Sequence, residues 1–125
     1  MRKQYNFWPG ENGLDAWDVD RLIELSAEFP IIEILLKEIK EIDTAYWSIG
    51  NPSPITVRGF SDHFKLMNEA DLTFPIILNI DGRVMDGMHR VAKALAMGEE
   101  TIRAVRFDYQ PTPDYVNCNP DLLPY

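Results

Sequence analysis

Apolar positions along the chain alternate between a helical and a strand period. Between Asp15 and Phe29, Val19, Leu22, Ile23 and the small Ser26 fall at i, i+3, i+4 and i+7. That spacing predicts a helix, with Asp15 or Asp18 capping its first turn and Pro30 ending it. Ile31–Leu36 is short and rich in β-branched residues, which predicts a strand. Lys37–Asp43 has room for one helical turn, and Tyr46–Pro54 reads as loop because Gly50, Asn51, Pro52, Ser53 and Pro54 cluster there. Ile55–Val57 reads as a short strand. Ser61 then caps a helix with Phe64, Met67 and Ala70 on one face.

The second half has the sharper pattern. Pro75–Ile80 and Arg83–Asp86 read as two strands around Asp81-Gly82, a pair suited to a type I′ turn. Met88, Val91, Ala92, Leu95 and Ala96 then form a helical stripe that places Met88 inward, and Gly98 closes it. Thr101–Phe107 reads as the last strand. The ends lack either period: 1–14 reads as an irregular arm whose Phe7 and Trp8 pack on the body, and 108–125, with four prolines, as an irregular tail.

Composition narrows the class. At 125 residues, with 46% hydrophobic and 26% charged positions, the chain suits one globular domain with its core at 15–107. The expected fold is α+β: a mixed sheet in which a β-hairpin feeds a phosphate-facing helix N-terminus. Twelve Lys and Arg against twenty Asp and Glu leave a net charge of −8, so nucleic acid is not an expected partner of this chain alone. Cys118 is the single cysteine, which removes a disulfide framework and a Cys-based zinc site. The first residues have no apolar run behind them, and Phe29–Leu36 is too short and interrupted to span a bilayer. The expected location is cytoplasmic.

Candidate chemistry concentrates in Asp81–Arg90. Gly87 lets the backbone approach a ligand, and the amides of Met88, His89 and Arg90 precede the helical ladder. His89, Arg90 and Lys93 lie off the apolar stripe and crowd the positive end of the helix dipole. A bound phosphate would resolve that conflict. Asp86 is the nearest carboxylate. It is a candidate catalytic group and a candidate partner for Mg²⁺ arriving with nucleotide oxygens. Read plainly, Asp86 is a helix cap and Arg90 pairs with a surface carboxylate. Glu33 interrupts the strand at 31–36 and is the other candidate base, although a place on a sheet edge explains it more simply. Glu38, Glu41 and Asp43 read as a solvated face and His63 as a surface residue.

The run Pro75-Ile76-Ile77-Leu78, Asp81 through Ala94, Gly98 and Thr101-Ile102-Arg103-Ala104-Val105 resembles the ParB N-terminal/sulfiredoxin-like superfamily. The resemblance covers 75–107 and reaches back weakly to the strand at 31–36. It implies strand, glycine turn, helix with a Gly-x-x-Arg start, and strand, with the turn and helix start holding nucleotide phosphates. Members include CTP-binding partition proteins, ATP-using sulfiredoxin and a free-serine kinase written Asp-Gly-His-His-Arg. Arg58 and Ser61 share the spacing of the Lys and Ser that help sulfiredoxin bind ATP.

Departures set the expected activity. Met88 stands where sulfiredoxin has its nucleophilic Cys, and a thioether cannot attack a sulfinyl phosphate, so sulfiredoxin activity is not expected. Partition proteins continue into DNA-binding and dimerisation domains, and partitioning by this chain alone is not expected. The implied ligand is a nucleotide (ATP, ADP or CTP) or another phosphorylated small molecule, with Mg²⁺ as its companion. Gly87, His89, Arg90, Lys93, Arg58 and Ser61 would bind it. If the chain is an enzyme, the class is phosphotransferase or nucleotide hydrolase. The alternatives are a non-catalytic module that contacts a protein partner and, last, a ParB-like nuclease.

Overall fold

A computed structural model describes residues 2–48 and 55–125. In chain order the elements are β1 (Tyr5–Pro9), β2 (Leu14–Asp18), α1 (Val19–Ser26) and β3 (Ile32–Leu35). Two 3-10 turns follow (Leu36–Glu38, Lys40–Asp43), then a third (Tyr46–Ser48), and α2 (Val57–Glu69). The remainder is β4 (Ile76–Leu78), β5 (Val84–Asp86), α3 (Met88–Ala96), β6 (Thr101–Arg106), β7 (Tyr115–Cys118) and a short turn at Pro120–Leu122. The strands form a four-stranded mixed sheet, β3-β6-β4-β5, and a three-stranded sheet, β1-β2-β7. In the larger sheet β4 runs parallel to β6, while β3 with β6 and β4 with β5 are antiparallel. The chain is thus a small α+β domain. Among the described residues no helix is long and apolar enough to cross a membrane.

The larger sheet is apolar on both faces because its strands alternate. Ile76, Leu78, Val84, Ile102 and Ala104 meet Met88, Val91 and Ala94 of α3, with Leu36 and Ile39, in one cluster. Ile77, Met85, Val105 and Phe107 meet Trp17 and Leu22 in the other. Burial on both faces explains why β4 reads as an unbroken apolar run. Met88 points inward as the stripe requires, at 7% exposure. Ala94 rather than Leu95 completes the buried arc; Leu95 and Ala96 are exposed, with Leu95 over an open groove lined by Leu36, Ile39 and Ile42. α3 ends as expected: Gly98 adopts φ 76°, its amide donates to Leu95, and the Glu99 amide donates to Ala94.

Several expectations are corrected. The arm is not irregular: Asn6 and Phe7 pair with Trp17 and Ala16 in β1–β2. The predicted helix therefore begins at Val19, four residues late. Asp18 caps it by accepting the Asp20 amide at 2.9 Å, and Asp15–Asp18 are extended instead. The tail contributes β7, in which Cys118 pairs with Leu14. Lys37–Asp43 is not one helical turn, because Ile39 breaks it in extended conformation and enters the core. Ile55–Val57 is not a strand and Ser61 is not a cap: Thr56 caps α2 by accepting the Gly59 amide at 3.0 Å. The loop residues Gly50–Pro54 lie outside the described residues.

The hairpin at Asp81-Gly82 exists, but its turn is not type I′. Only Gly82 has positive φ, at 88°. Its amide donates to Asn79 at 2.9 Å and the Asn79 amide donates to Arg83 at 2.8 Å, which leaves three loop residues. Asp81 spends its side chain on the Arg83 amide, a local bond that favours an ordinary turn conformation at Asp81.

Candidate functional site

β5 runs directly into α3 through Gly87, which caps the helix in the left-handed conformation at φ 105°. A side chain there would be strained, and its Cβ would meet Ile76 Cγ2 at 2.7 Å. Gly87 offers no capping side chain, and the first bond of the ladder is Val91 N–H to Gly87 O at 3.1 Å. The amides of Met88, His89 and Arg90 therefore carry the positive end of the helix. Beside them lies a cavity of about 210 Å³, lined in part by Gln4, Asp71, Asp86, Gly87 and His89.

The cations expected to crowd this site are already occupied. Arg90 donates to Asp86 Oδ2 at 2.9 Å and to the carbonyls of Phe74 and Pro75 at 3.2 and 3.0 Å. Its side chain is 16% exposed and that of Asp86 is 18% exposed. Lys93 donates to the carbonyls of Asn68 and Ala70 at 3.0 and 2.6 Å, which satisfies the C-terminal end of α2. The crowding inferred at the helix start is thus relieved by the protein itself. Arg90 lies off the stripe, as expected, yet it is a packed tie rather than a surface group.

His89 has a partner that the sequence did not reveal. His63 Nδ1 and His89 Nε2 are 2.9 Å apart. Both imidazoles stack on the Trp47 indole, with centroids 4.4 and 4.7 Å away and planes within 28° and 22° of it. One ring must donate and the other accept, so the intact pair holds at most one extra proton. Burial, and then the neighbouring His63, hold the His89 pKa below its ordinary 6.5. A single shared proton would rest against the indole face, a favourable cation–π placement. Trp47 and His63 carried no local signal: one stood in a loop rich in turn residues, the other amid a helix face read as exposed.

The other named residues are not gathered here. Glu33 is exposed on β3, opposite Arg103, at the far edge of the sheet from β5. Arg58 and Ser61 are exposed on α2, and neither lines the cavity beside α3. Asp86 gives its Oδ2 to Arg90 at 2.9 Å. Among the described residues no group of three or more His, Cys, Asp or Glu converges on a point where a metal could sit.

Comparison with protein-family models, with curated proteins and with solved structures finds no match to this chain.

Proposed function

We propose that the chain is a ParB/sulfiredoxin-like domain that binds a nucleotide or another phosphorylated small molecule at the start of α3. The single observation that carries this reading is the uncapped helix start at Gly87, opening on a cavity shared with His89. Backbone amides and a helix dipole suit an anion without any cationic side chain. The order β4, glycine turn, β5, α3, β6 supports the resemblance over 75–107. In this reading Gly87 and the following amides hold the phosphate, and the His63–His89 pair supplies a proton to it or takes one from it. Arg90 and Asp86 act as positioning residues that fix the turn. If the bound molecule reacts, the class is phosphoryl transfer or nucleotide hydrolysis, with positioning as the main contribution.

Calorimetric titration with ATP, ADP, CTP, GTP and pyrophosphate, with and without Mg²⁺, tests it when combined with amide NMR. At least one ligand is expected to bind and to shift the Met88, His89 and Arg90 amides first. His89→Ala is expected to weaken binding by about tenfold or less, because the amide at 89 remains. Absence of binding at millimolar ligand, or shifts confined elsewhere, would overturn the proposal.

One observation favours the second reading, a protein-interaction module. α2 leaves an apolar stripe uncovered: Val57 is 88% exposed, Phe60 63% and Phe64 54%.

A further inference from the structure

The far end of α3, away from Gly87, borders an open groove of about 530 Å³. Leu95 belongs to the apolar stripe of the helix, yet it is 50% exposed over this groove. Leu36 and Ile39, from the 3-10 turns after β3, are buried and form the floor. Leu35, which is 37% exposed, and Ile42 line the groove with Leu95. A side chain patterned for burial thus stands uncovered beside apolar neighbours.

Carboxylates rim the groove. Asp43 ends the second 3-10 turn, and Glu99 and Glu100 follow the glycine that closes α3. All are exposed, and none is ion-paired among the described residues. Lys37 is the only cation among the described lining residues. Glu99 and Glu100 stand at the negative end of the α3 dipole, where a cation is favoured and a carboxylate is not. Lys93, the cation of the last turn, is spent on the carbonyls of Asn68 and Ala70. Glu41 does not join this rim: its Oε1 accepts the Val84 amide at 2.6 Å, and burial pushes its pKa up. The helix end is left with charge of one sign beside an uncovered apolar strip. A local rule broken in this way marks a place where function is expected.

We infer that this groove docks an amphipathic helix of a partner protein, apolar along one face and flanked by Lys or Arg. The apolar face covers Leu35, Ile42 and Leu95, and the cations meet Glu99, Glu100 and Asp43 at the rim. The net charge of −8 favours approach of a basic partner and opposes a second copy of this chain. The apolar stripe on α2 lacks that selectivity, because Arg58 and Lys65 offset Asp62 and Glu69 along the same helix. The groove lies at the opposite end of α3 from Gly87, and the inference does not depend on a phosphate being bound there.

A synthetic peptide with Leu at i, i+3, i+4 and i+7 and Lys elsewhere serves as the probe. Versions with Glu for Lys and with Ser for Leu separate charge from apolar contact. Amide NMR locates the binding. The Leu/Lys peptide is expected to shift residues 35–43 and 94–100 and to leave α2 in place. The Leu/Glu and Ser/Lys peptides should bind at least about tenfold more weakly. Leu95→Ser, at a half-exposed position where truncation opens no cavity, should weaken binding of the Leu/Lys peptide. Glu99→Lys combined with Glu100→Lys should weaken it by about tenfold and make the Leu/Glu peptide the better ligand. Shifts centred on Val57, Phe60 and Phe64, equal binding of the Leu/Glu peptide, unchanged affinity in Leu95→Ser, an unchanged preference after the charge reversal, or no shift at millimolar peptide would each overturn the assignment.

Discussion

β4 and β5 are joined by residues 79–83, whereas every strand of the larger sheet lies between β2 and β7 in the chain. Trp17 shows the distance involved: its Nε1 donates to the carbonyl of Pro111 at 2.8 Å, 94 positions along the chain. The segment 76–106 is held by neighbours in sequence, through a turn, a left-handed glycine and a Schellman end. The terminal sheet joins a local hairpin, β1–β2, to a strand far away in sequence, and the β2–β7 pairing is slow to be rewarded because a long loop must close first. Local chemistry specifies the first region, and burial against that region specifies the second.

Replacing Trp17 tests that dependence most severely. Its side chain is 1% exposed, belongs to the cluster under Ile77 and Val105, and ties β2 to the tail. Trp17→Ala should cost about 3–5 kcal/mol in urea unfolding, from lost burial and a residual cavity. Amide exchange should rise first in β1, β2 and β7, while α3 stays protected. Equal loss of protection in α3 would break the distinction between the two regions.

What could be read from the sequence follows the same division. Asp18, Gly82, Gly87 and Gly98 act through bonds within a few residues, and each marks its element correctly, even where the turn type differs. The helix predicted from Asp15 fails because the 3.6 period and the pairing of Trp17 with Asn6 compete for the same residues, and the strand pairing wins. At the site, Gly87, His89 and the open amides were legible, because they depend on a turn. His63, Trp47 and Glu41 were not. Their roles arise where α2 and the 3-10 turns meet α3 and β5, and no spacing within either segment announces that contact.

Arg90 sharpens the comparison at intermediate cost. It lies off the apolar stripe, which by sequence alone makes it removable, but the structure ties it to Asp86 and two carbonyls. Arg90→Ala should lower stability by about 1.5–3 kcal/mol, the range for a charge-assisted bond, even with no ligand present. Arg90→Lys should recover little, since an ammonium cannot span a carboxylate and two carbonyls as a planar fork does. Thermal unfolding of both variants checks this. A neutral Arg90→Ala would return Arg90 to the free cation that the sequence suggested.

The smallest effect is the pH response of the His63–His89 contact, which joins the legible helix to the segment that was not legible. The folded His89 has a lowered pKa, so between that value and 6.5 the unfolded chain binds more protons. Stability from this group is therefore intact above 6.5 and falls as pH drops through it, by less than the roughly 1.36 kcal/mol per pH unit that one full proton would give. Glu41 acts in the opposite direction. Its raised pKa means that stability is lost as pH rises from 4.5 through the folded value, so the two slopes oppose each other in the acid range. Comparing wild type with His89→Gln separates them, because the variant retains Glu41 and removes only the histidine contribution. The difference in unfolding free energy between wild type and variant should shift against the wild type on acidification from pH 7.5 to 5.5. A phosphate placed at the start of α3 would reverse part of that loss by favouring the protonated pair, so ligand binding should take up protons near pH 6. A pH-independent difference between the two proteins would mean that burial does not hold His89 neutral.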